Sequence, residues 1–177
     1  MGDPKNVVDI LRHARHDWLN KLQLIKGNLE LGKTERAKEI IDEIIIEARH
    51  ESDLSNIGLN QFSTFLLTYN WKQHFFILEF EVLELSGTFP LEDQYITNWL
   101  KGLFQHLEES LNPYGENHVS LSIEVKPDWS RFIVDIRGEF LPDAHILNYI
   151  HMHPITRGTI EVADEMDSDL SIEITIS

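Results

Sequence analysis

The residues of this chain best suited to chemistry lie together in one stretch, Arg12 to Asn28, RHARHDWLNKLQLIKGN. His16 is followed at once by Asp17 and, one helical turn later, by Asn20. The free imidazole is largely neutral near neutral pH, so it has a nitrogen lone pair available for nucleophilic attack. A neighbouring carboxylate can orient the ring or take up its proton, and an amide one turn away can hold the side chain by a hydrogen bond.

This stretch has the pattern of a long helix in a bundle, with His16 outside the apolar seam. Apolar residues recur at spacings of three and four, which is typical of such a helix. They are Val8, Leu11, Trp18, Leu22, Ile25 and Leu29. At 100° per residue, His16 lies on another face, together with Arg12, Asn20, Gln23 and Gly27. We therefore predict that the ring faces water and exchanges a group with a visiting protein rather than with a ligand in a closed pocket.

Three segments of the chain resemble a known family. The string RHDWLNKLQLIKGNLELGK is similar to the phosphoacceptor helix of two-component signalling proteins. With HESDLSN at 50–56 and NWKQHFFILEFEVL at 70–83, it resembles the sporulation initiation phosphotransferase B family, phosphorelay histidine phosphotransferases related to two-component histidine kinases. The His-Asp-x-x-Asn core is shared with several kinase families, whereas the joint run with Trp18 and Leu22-Gln23 is more specific.

The resemblance implies a relay of phosphoryl groups in sporulation initiation. A phospho-aspartyl response regulator would pass its phosphoryl group to His16, which would hand it to the aspartate of a second regulator. His16 is then the phosphoacceptor, and Asp17 and Asn20 are the residues that assist it. Phosphoryl transfer needs mainly alignment and charge neutralisation, so the magnesium ion can come with the regulator's acidic pocket and this chain needs no cofactor.

The surface around His16 is predicted to dock the regulators. Arg15 interrupts the apolar seam, where its cation either steadies the transferring phosphoryl group or serves a structural purpose. Gly27 costs a helix about 1 kcal/mol relative to Ala, so it either admits a partner helix closely or is merely tolerated. The predicted docking residues are Arg12, Arg15, Leu19, Gln23, Lys26 and Gly27.

The charge of the chain is strongly acidic but unevenly distributed. The formal net charge is −15 and the pI is about 4.9, which argues against a nucleic-acid surface because phosphate contacts need clustered Lys and Arg. Between Arg12 and Lys26, however, there are four basic residues and one acidic residue, a local balance of +3. Such a basic patch suits a phosphoryl group and an aspartate-rich partner, although an ordinary solvated face would also account for it.

Composition also limits the cellular setting. The chain contains no Cys, which excludes thiol chemistry and disulfides and is compatible with the cytoplasm. No apolar run reaches the roughly 18 residues that span a bilayer, and MGDPKN has no signal-peptide pattern. We expect a cytoplasmic protein without membrane or nucleic-acid partners.

The fold class predicted is α+β, in two domains. Residues 1–58 read as an antiparallel helical hairpin, with Asn6 as a possible N-cap, a stop at Gly32 and a second helix from Thr34 to about Asn56. The apolar face of the second helix is too wide for one partner, so we expect two copies to form a homodimeric four-helix bundle. Packing of that face on the C-terminal domain of the same chain is the alternative.

Residues 59–177 are predicted to form an α/β sandwich similar to the ATP-binding domain of histidine kinases. Periodicity indicates an αβαββαββ order. The predicted helices are 60–73, 91–111 and 143–150; the predicted strands are 76–82, 119–125, 132–136, 158–163 and 170–176. The resemblance makes this domain a degenerate relative of the kinase domain.

The nucleotide site of such a domain is expected to be lost. Kinases of this type hold magnesium through an Asn on the long helix and bind phosphates on glycine-rich loops. Here the helix offers His106, Glu108 and Glu109, and the strand ending at Ile136 leads into Arg137-Gly138-Glu139, which has one glycine. Uncompensated carboxylates without a phosphate cradle would repel a triphosphate.

Three functions remain open on the sequence. The leading one is a dimeric phosphorelay phosphotransferase; the others are an ATP-dependent sensor histidine kinase and a non-catalytic dimer that binds response regulators. A metal site at His13 and His16 lacks a third strong ligand. His50, in an acidic run, is interpreted as a salt-bridged surface residue.

Overall fold

The computed structural model of the chain describes residues 4–142, 146–166 and 169–177. These residues form two compact units, one reaching to Arg49 and the other running from His50 to Ser177. The first unit is helical, and the second combines helices with a five-stranded sheet. The expected α+β class is confirmed.

The first unit is built from α1, Pro4–Glu30, and the greater part of α2, Thr34–Ser55. α1 begins at a proline because this residue has no N–H to leave unpaired in the first helical turn. The expected N-cap at Asn6 is therefore wrong, since Asn6 already lies inside the helix.

The link between the two helices depends on one glycine. Gly32 has a φ of +71°, a conformation that side chains disfavour. Its N–H donates to the Leu29 carbonyl at 3.0 Å, and the Lys33 N–H donates to the Asn28 carbonyl at 2.9 Å. These two bonds satisfy carbonyls at the end of α1, so the chain can reverse within the three residues 31–33.

Within the hairpin, few apolar side chains are buried. Ala37 and Ile40 of α2 are buried, and Lys21 of α1 forms an ion pair with Glu47 of α2 at 2.7 Å. Many other apolar residues of both helices stay exposed; among them are Val8, Leu11, Trp18, Leu22, Leu29, Ile41 and Ile45. The two helices of one chain therefore cover only part of their apolar surface.

The second unit follows the predicted αβαββαββ order. Its helices are α3, Asn60–Leu67; α4, Asp93–Ser110; and α5, Ile146–Met152. Its strands are β1, Ile77–Leu85; β2, His118–Val125; β3, Ser130–Arg137; β4, Gly158–Met166; and β5, Asp169–Ile176. Of the helix predicted over 143–150, residues 143–145 lie outside the described part of the chain.

The five strands form one mixed sheet in the order β1-β2-β3-β5-β4. β1 pairs with β2 in parallel, and the other pairs are antiparallel. Burial alternates along β2, β3 and β5, so one face of the sheet is apolar and buried while the other is polar. α4 supplies Leu103, Phe104 and Leu107 to the same core.

The segment 60–73 departs from the single helix that was predicted. α3 ends at Leu67 and is followed by a 3₁₀ turn, Tyr69–Trp71. The side chain of Asn70 binds the backbone of β1: its amide donates to the Leu78 carbonyl at 2.7 Å and its oxygen accepts the Leu78 N–H at 3.1 Å. This long-range pairing, which local periodicity does not reveal, accompanies the tighter turn.

His50 is another correction to the sequence interpretation. Its Nδ1 accepts the backbone N–H of Val82 in β1 at 3.1 Å, and the residue is half-buried. His50 is therefore an acceptor for a strand rather than a salt-bridged surface residue. The contact joins residues far apart in sequence, so the acidic run around His50 did not indicate it.

The acidity of the chain resides entirely in the second unit. Residues 1–49 contain nine basic and nine acidic residues, whereas residues 50–177 contain six basic and 21 acidic residues. The formal net charge of −15 is therefore that of the second unit. The helical hairpin is neutral overall.

Two glycines inside helices predict opposite effects of the same substitution. A Cβ on Gly102 of α4 would collide with the Tyr149 side chain, whereas a Cβ on Gly27 of α1 meets nothing within 4 Å. We expect Gly102→Ala to lower the free energy of unfolding by about 1–3 kcal/mol through overpacking. Gly27→Ala should raise it by up to about 1 kcal/mol because Ala favours helix. Urea unfolding followed by circular dichroism measures both, and equal effects would contradict the packing at Gly102.

Candidate functional site

His16 lies on an exposed face of α1, as its position outside the apolar seam predicted. Its side chain is 72% exposed, and that of Asp17 is 49% exposed. The ring Nδ1 is 3.4 Å from Asp17 Oδ1 and 3.2 Å from Asn20 Nδ2. The helix thus brings the three predicted catalytic residues to one ring nitrogen: Asn20 lies one turn further along the same face, and the side chain of the adjacent Asp17 reaches the ring.

The two contacts make opposite demands on this nitrogen. The Asp17 carboxylate can only accept, so it requires a proton on Nδ1, whereas the Asn20 amide nitrogen donates and requires a lone pair there. When Nδ1 carries the proton, Nε2 keeps the lone pair that attack on phosphorus needs. In that tautomer a half-turn of the Asn20 amide presents its oxygen to Nδ1, so both neighbours can then accept from the ring.

The basic side chains around His16 differ in their ion pairs within α1. Arg12 Nη1 lies 2.6 Å from Asp9 Oδ1, and Lys26 lies 3.5 Å from Glu30. The Arg15 side chain is exposed. Exposed pairs of this kind are worth at most about 1 kcal/mol, so the Arg12 and Lys26 side chains can be redirected by an approaching anion.

The other predicted docking residues share the same exposed side of α1. Leu19 is 50% exposed and Gln23 is exposed, while Gly27 leaves open space where a side chain would stand. The close approach of a partner helix at Gly27 stays a prediction. His13 binds back to its own helix through Nδ1, 2.9 Å from the Asp9 carbonyl.

No group of three or more His, Cys, Asp or Glu residues in the described part of the chain could hold a metal ion. Likewise, none of the described helices is long and apolar enough to cross a membrane.

The comparison with known proteins decides the family. A model of the alpha-helical domain of SpoOB-type sensor kinases matches residues 2–57, and a model of the C-terminal part of sporulation initiation phosphotransferase B matches residues 58–177. The sporulation initiation phosphotransferase B of Bacillus subtilis (strain 168) is 40% identical over 136 residues, which cover 76% of this chain and 71% of that protein.

The chain belongs to the sporulation initiation phosphotransferase B family. It is a transferase of the phosphorelay that initiates sporulation.

The solved structures that match this chain are distant in sequence. Acinetobacter baumannii histidine kinase AdeS is 13% identical with a TM-score of 0.44, covering 92% of this chain and 97% of that chain. A bacterial phosphotransferase solved at 1.7 Å is 16% identical with a TM-score of 0.37, covering 98% of each chain.

In this member of the sporulation initiation phosphotransferase B family, a tyrosine packs closely on the long helix of the second unit. The Tyr149 hydroxyl donates to the Trp99 carbonyl at 2.8 Å and fills the space above Gly102. Its ring lies between His106 and His153, with centroid distances of 4.5 and 4.4 Å. Burial raises the pKa of Tyr149, and Tyr95 adds to the rise, so the hydroxyl keeps its proton.

Glu108 and Glu109 of α4, which the sequence singled out together with His106, have different surroundings. Glu108 accepts a hydrogen bond from Tyr69 at 3.1 Å and pairs with His74, whose ring is stacked on Tyr69. Burial, followed by the charge of Glu108, raises the pKa of Tyr69. Glu109 accepts a hydrogen bond from Gln105 at 3.2 Å.

Sequence reasoning missed three residues whose side chains contact α4: Tyr69, His74 and Tyr149. Each meets α4 from an element distant along the chain, and aromatic residues in short apolar runs read equally well as ordinary core. Their only sequence signal was the histidine in NWKQHFF at 70–76, which carried no spacing typical of a site.

The tautomer of His16 provides a test of the geometry. We expect long-range ¹H–¹⁵N spectra of the full chain to show a proton on Nδ1 of His16, because Asp17 accepts it. Asp17→Ala should increase the population protonated on Nε2. His13, which binds a backbone carbonyl, is the control whose tautomer should not change. A His16 ring with the same tautomer ratio in both proteins would contradict the role of Asp17.

Proposed function

We propose that His16 accepts a phosphoryl group from the phospho-aspartate of one response regulator and passes it to the aspartate of a second. The observation that supports this most is the exposed His16 ring with Asp17 at Nδ1, on a helix of this phosphotransferase family. The transfer includes a phosphohistidine intermediate.

The chemistry balances without a further reactant. The Nε2 lone pair attacks phosphorus, the bond from phosphorus to the aspartyl oxygen breaks, and the aspartate leaves as a carboxylate. The Nδ1 proton stays on the ring, where Asp17 stabilises the positive charge that develops. In the second half-reaction, the carboxylate of the other regulator attacks the same phosphorus and the neutral imidazole is released.

Arg12, Arg15 and Lys26 are proposed to attract the regulators, together with Leu19, Gln23 and Gly27 as contact surface. The hairpin is neutral overall, whereas the second unit is acidic and repels acidic proteins. An acidic regulator pocket is thereby directed to α1. The magnesium ion is proposed to come with that pocket, and this chain supplies no cofactor site.

The hairpin is proposed to pair with that of a second copy to form a four-helix bundle. Most of its exposed apolar residues lie along one stripe of each helix; Leu19 and Leu24 lie outside it. Burying such stripes is the main driving force of association. Because the hairpin is short-linked and antiparallel, two copies can pair these stripes by a twofold axis. His16 lies outside the stripe, so pairing leaves it accessible.

The second unit is proposed not to use ATP. Tyr149 fills the space over α4 beside His106, and the short Arg137-Gly138-Glu139 segment offers no glycine-rich cradle. This distinguishes the relay function from that of a sensor kinase. The cytoplasmic location stays a prediction.

A transfer assay tests the assignment of the acceptor. Incubation with a phosphorylated response regulator should label the wild-type chain with acid-labile phosphate. His16→Ala should abolish labelling, because the attacking nitrogen is gone, with little effect on stability since the side chain is exposed. His13→Ala, on the same helix, should retain labelling and is the matched control.

The competing functions make different predictions in the same assay. Labelling by ATP alone would support a sensor kinase and contradict the proposal. Binding of the regulator without any acid-labile phosphate on the wild-type chain would support a non-catalytic binder instead. Transfer that persists in His16→Ala would mean that another residue is the acceptor.

Two leucines of equal exposure test the dimer. Leu22 and Leu24 are 55% and 54% exposed, but they lie about 200° apart around α1. Light scattering of the wild type should give twice the chain mass of 20.6 kDa. Leu22→Glu should yield the monomer because it places charge in the apolar stripe, whereas Leu24→Glu should remain dimeric. A monomeric wild type, or equal effects of the two variants, would contradict the pairing surface.

A further inference from the structure

The two edges of the five-stranded sheet differ in how their backbone groups are satisfied. At the β1 edge, Asn70 binds both the N–H and the carbonyl of Leu78, and His50 accepts the N–H of Val82. Residues 78 and 82 lie at even spacing along β1, so these groups point to the same side, away from β2. Side chains therefore close this edge against another strand.

The opposite edge is β4, which pairs only with β5. Thr159, Glu161, Val162 and Ala163 are all exposed. No side-chain clamp comparable to Asn70 or His50 closes the outer side of β4 in the ranges that the structure describes. The outward-facing N–H and carbonyl groups of this nine-residue strand have no partner among the described residues, which makes β4 a template for an added strand.

The side chains along β4 define what an added strand should carry on each face. Ile160 and Val162 lie opposite the buried Ile174 and Ile172 of β5, so this side of the strand continues the apolar core. Val162 remains 39% exposed. An apolar residue next to it would extend the core by one strand.

On the polar face of β4, a basic side chain of an added strand would be favourable. Glu161 lies directly opposite Glu173, and like charges in such a pair destabilise a sheet. Arg131 contacts Glu173 at 3.4 Å but is also bound by Glu124 at 2.8 Å. Glu161 lies at the outer edge of the sheet, so an added strand would place a side chain next to its carboxylate.

We propose that β4 binds an extended segment of a partner protein in which apolar residues alternate with Lys or Arg. The segment adds a sixth strand to the sheet, with its backbone on the free edge, its apolar residues beside Val162 and its basic residues beside Glu161. The net charge of −15 on this unit favours the same partner.

Charge excludes a second copy of β4 as the occupant. The strand sequence GTIEVADEM contains three acidic residues and no Lys or Arg. Pairing two such strands would set acidic residues against one another. The partner is therefore a different segment, of opposite charge.

This inference is independent of the transfer at His16. The β4 edge belongs to the second unit and contains no residue of the proposed relay chemistry. It assigns to that unit the binding of a partner by strand addition. Failure of either proposal leaves the other standing.

Capped synthetic peptides provide the test on the full chain. The probe is a peptide in which lysine alternates with valine; the control probes are its glutamate–valine counterpart and a lysine–valine peptide interrupted by a central proline. At physiological salt, fluorescence anisotropy should show saturable binding of the first probe only. Hydrogen exchange should then slow at alternate amides of β4 and not at those of β1, because an added strand bonds only outward-facing groups.

Matched charge reversals locate the site. Glu161→Lys should weaken binding of the lysine–valine peptide about fivefold, as expected for losing a favourable cross-strand pair. Glu79→Lys is the control: Glu79 is exposed on β1, about 19 Å away across four strand spacings of about 4.8 Å. This distance exceeds the Debye length of about 8 Å at physiological salt, so Glu79→Lys should weaken peptide binding less than Glu161→Lys does.

Four results would overturn the proposal. They are no saturable binding by the wild type, equal binding of the proline-interrupted peptide, slowed exchange outside β4, and equal effects of Glu161→Lys and Glu79→Lys. The second would mean that net charge alone attracts the peptide. Transfer from a phosphorylated regulator to the Glu161→Lys variant should be unchanged, which separates this site from His16.

Discussion

The structure depends on how little of the helical hairpin a single chain can bury. Two helices joined by a three-residue link contact each other along one stripe, and here that stripe buries Ala37 and Ile40 and pairs Lys21 with Glu47. Many of the remaining apolar residues of α1 and α2 are exposed. The proposed dimer follows from this constraint, and so does the exposure of His16, which lies on the side that neither the hairpin contact nor the outer apolar stripe uses.

The proposed site at His16 is formed by residues of a single helix. Phosphoryl transfer demands a correctly oriented lone pair and neutralised charge, and a single helix meets the first demand by placing Asp17 and Asn20 at the Nδ1 atom of His16. Because all three residues belong to one helix, the geometry does not rely on the second unit. Exposed basic residues on the same helix can supply part of the charge neutralisation, because their weak surface ion pairs leave them able to turn toward an anion.

The second unit has the αβαββαββ order that periodicity predicted, and aromatic and carboxylate side chains surround its long helix. Tyr149 fills the space above Gly102 and lies between two histidine rings, while Glu108 is engaged by Tyr69 and His74. These contacts and the excess of carboxylates support the proposal that this unit binds other proteins and not a triphosphate. The unequal edges of its sheet agree with such a role, because one is closed by side chains and the other is open.

The sequence by itself determined the features that local periodicity encodes. The helical hairpin, the solvent-facing position of His16, the αβαββαββ order and the α+β class all followed from spacings of two, three and four residues, and the family from a run of about twenty residues around His16. Only the tertiary structure decided which distant groups meet: Asn70 and His50 on β1, Tyr149 on Gly102, and Glu161 opposite Glu173. The physical reason is that a periodic pattern specifies which face of an element is buried, whereas strand register and side-chain partners are set by packing between segments far apart in the chain.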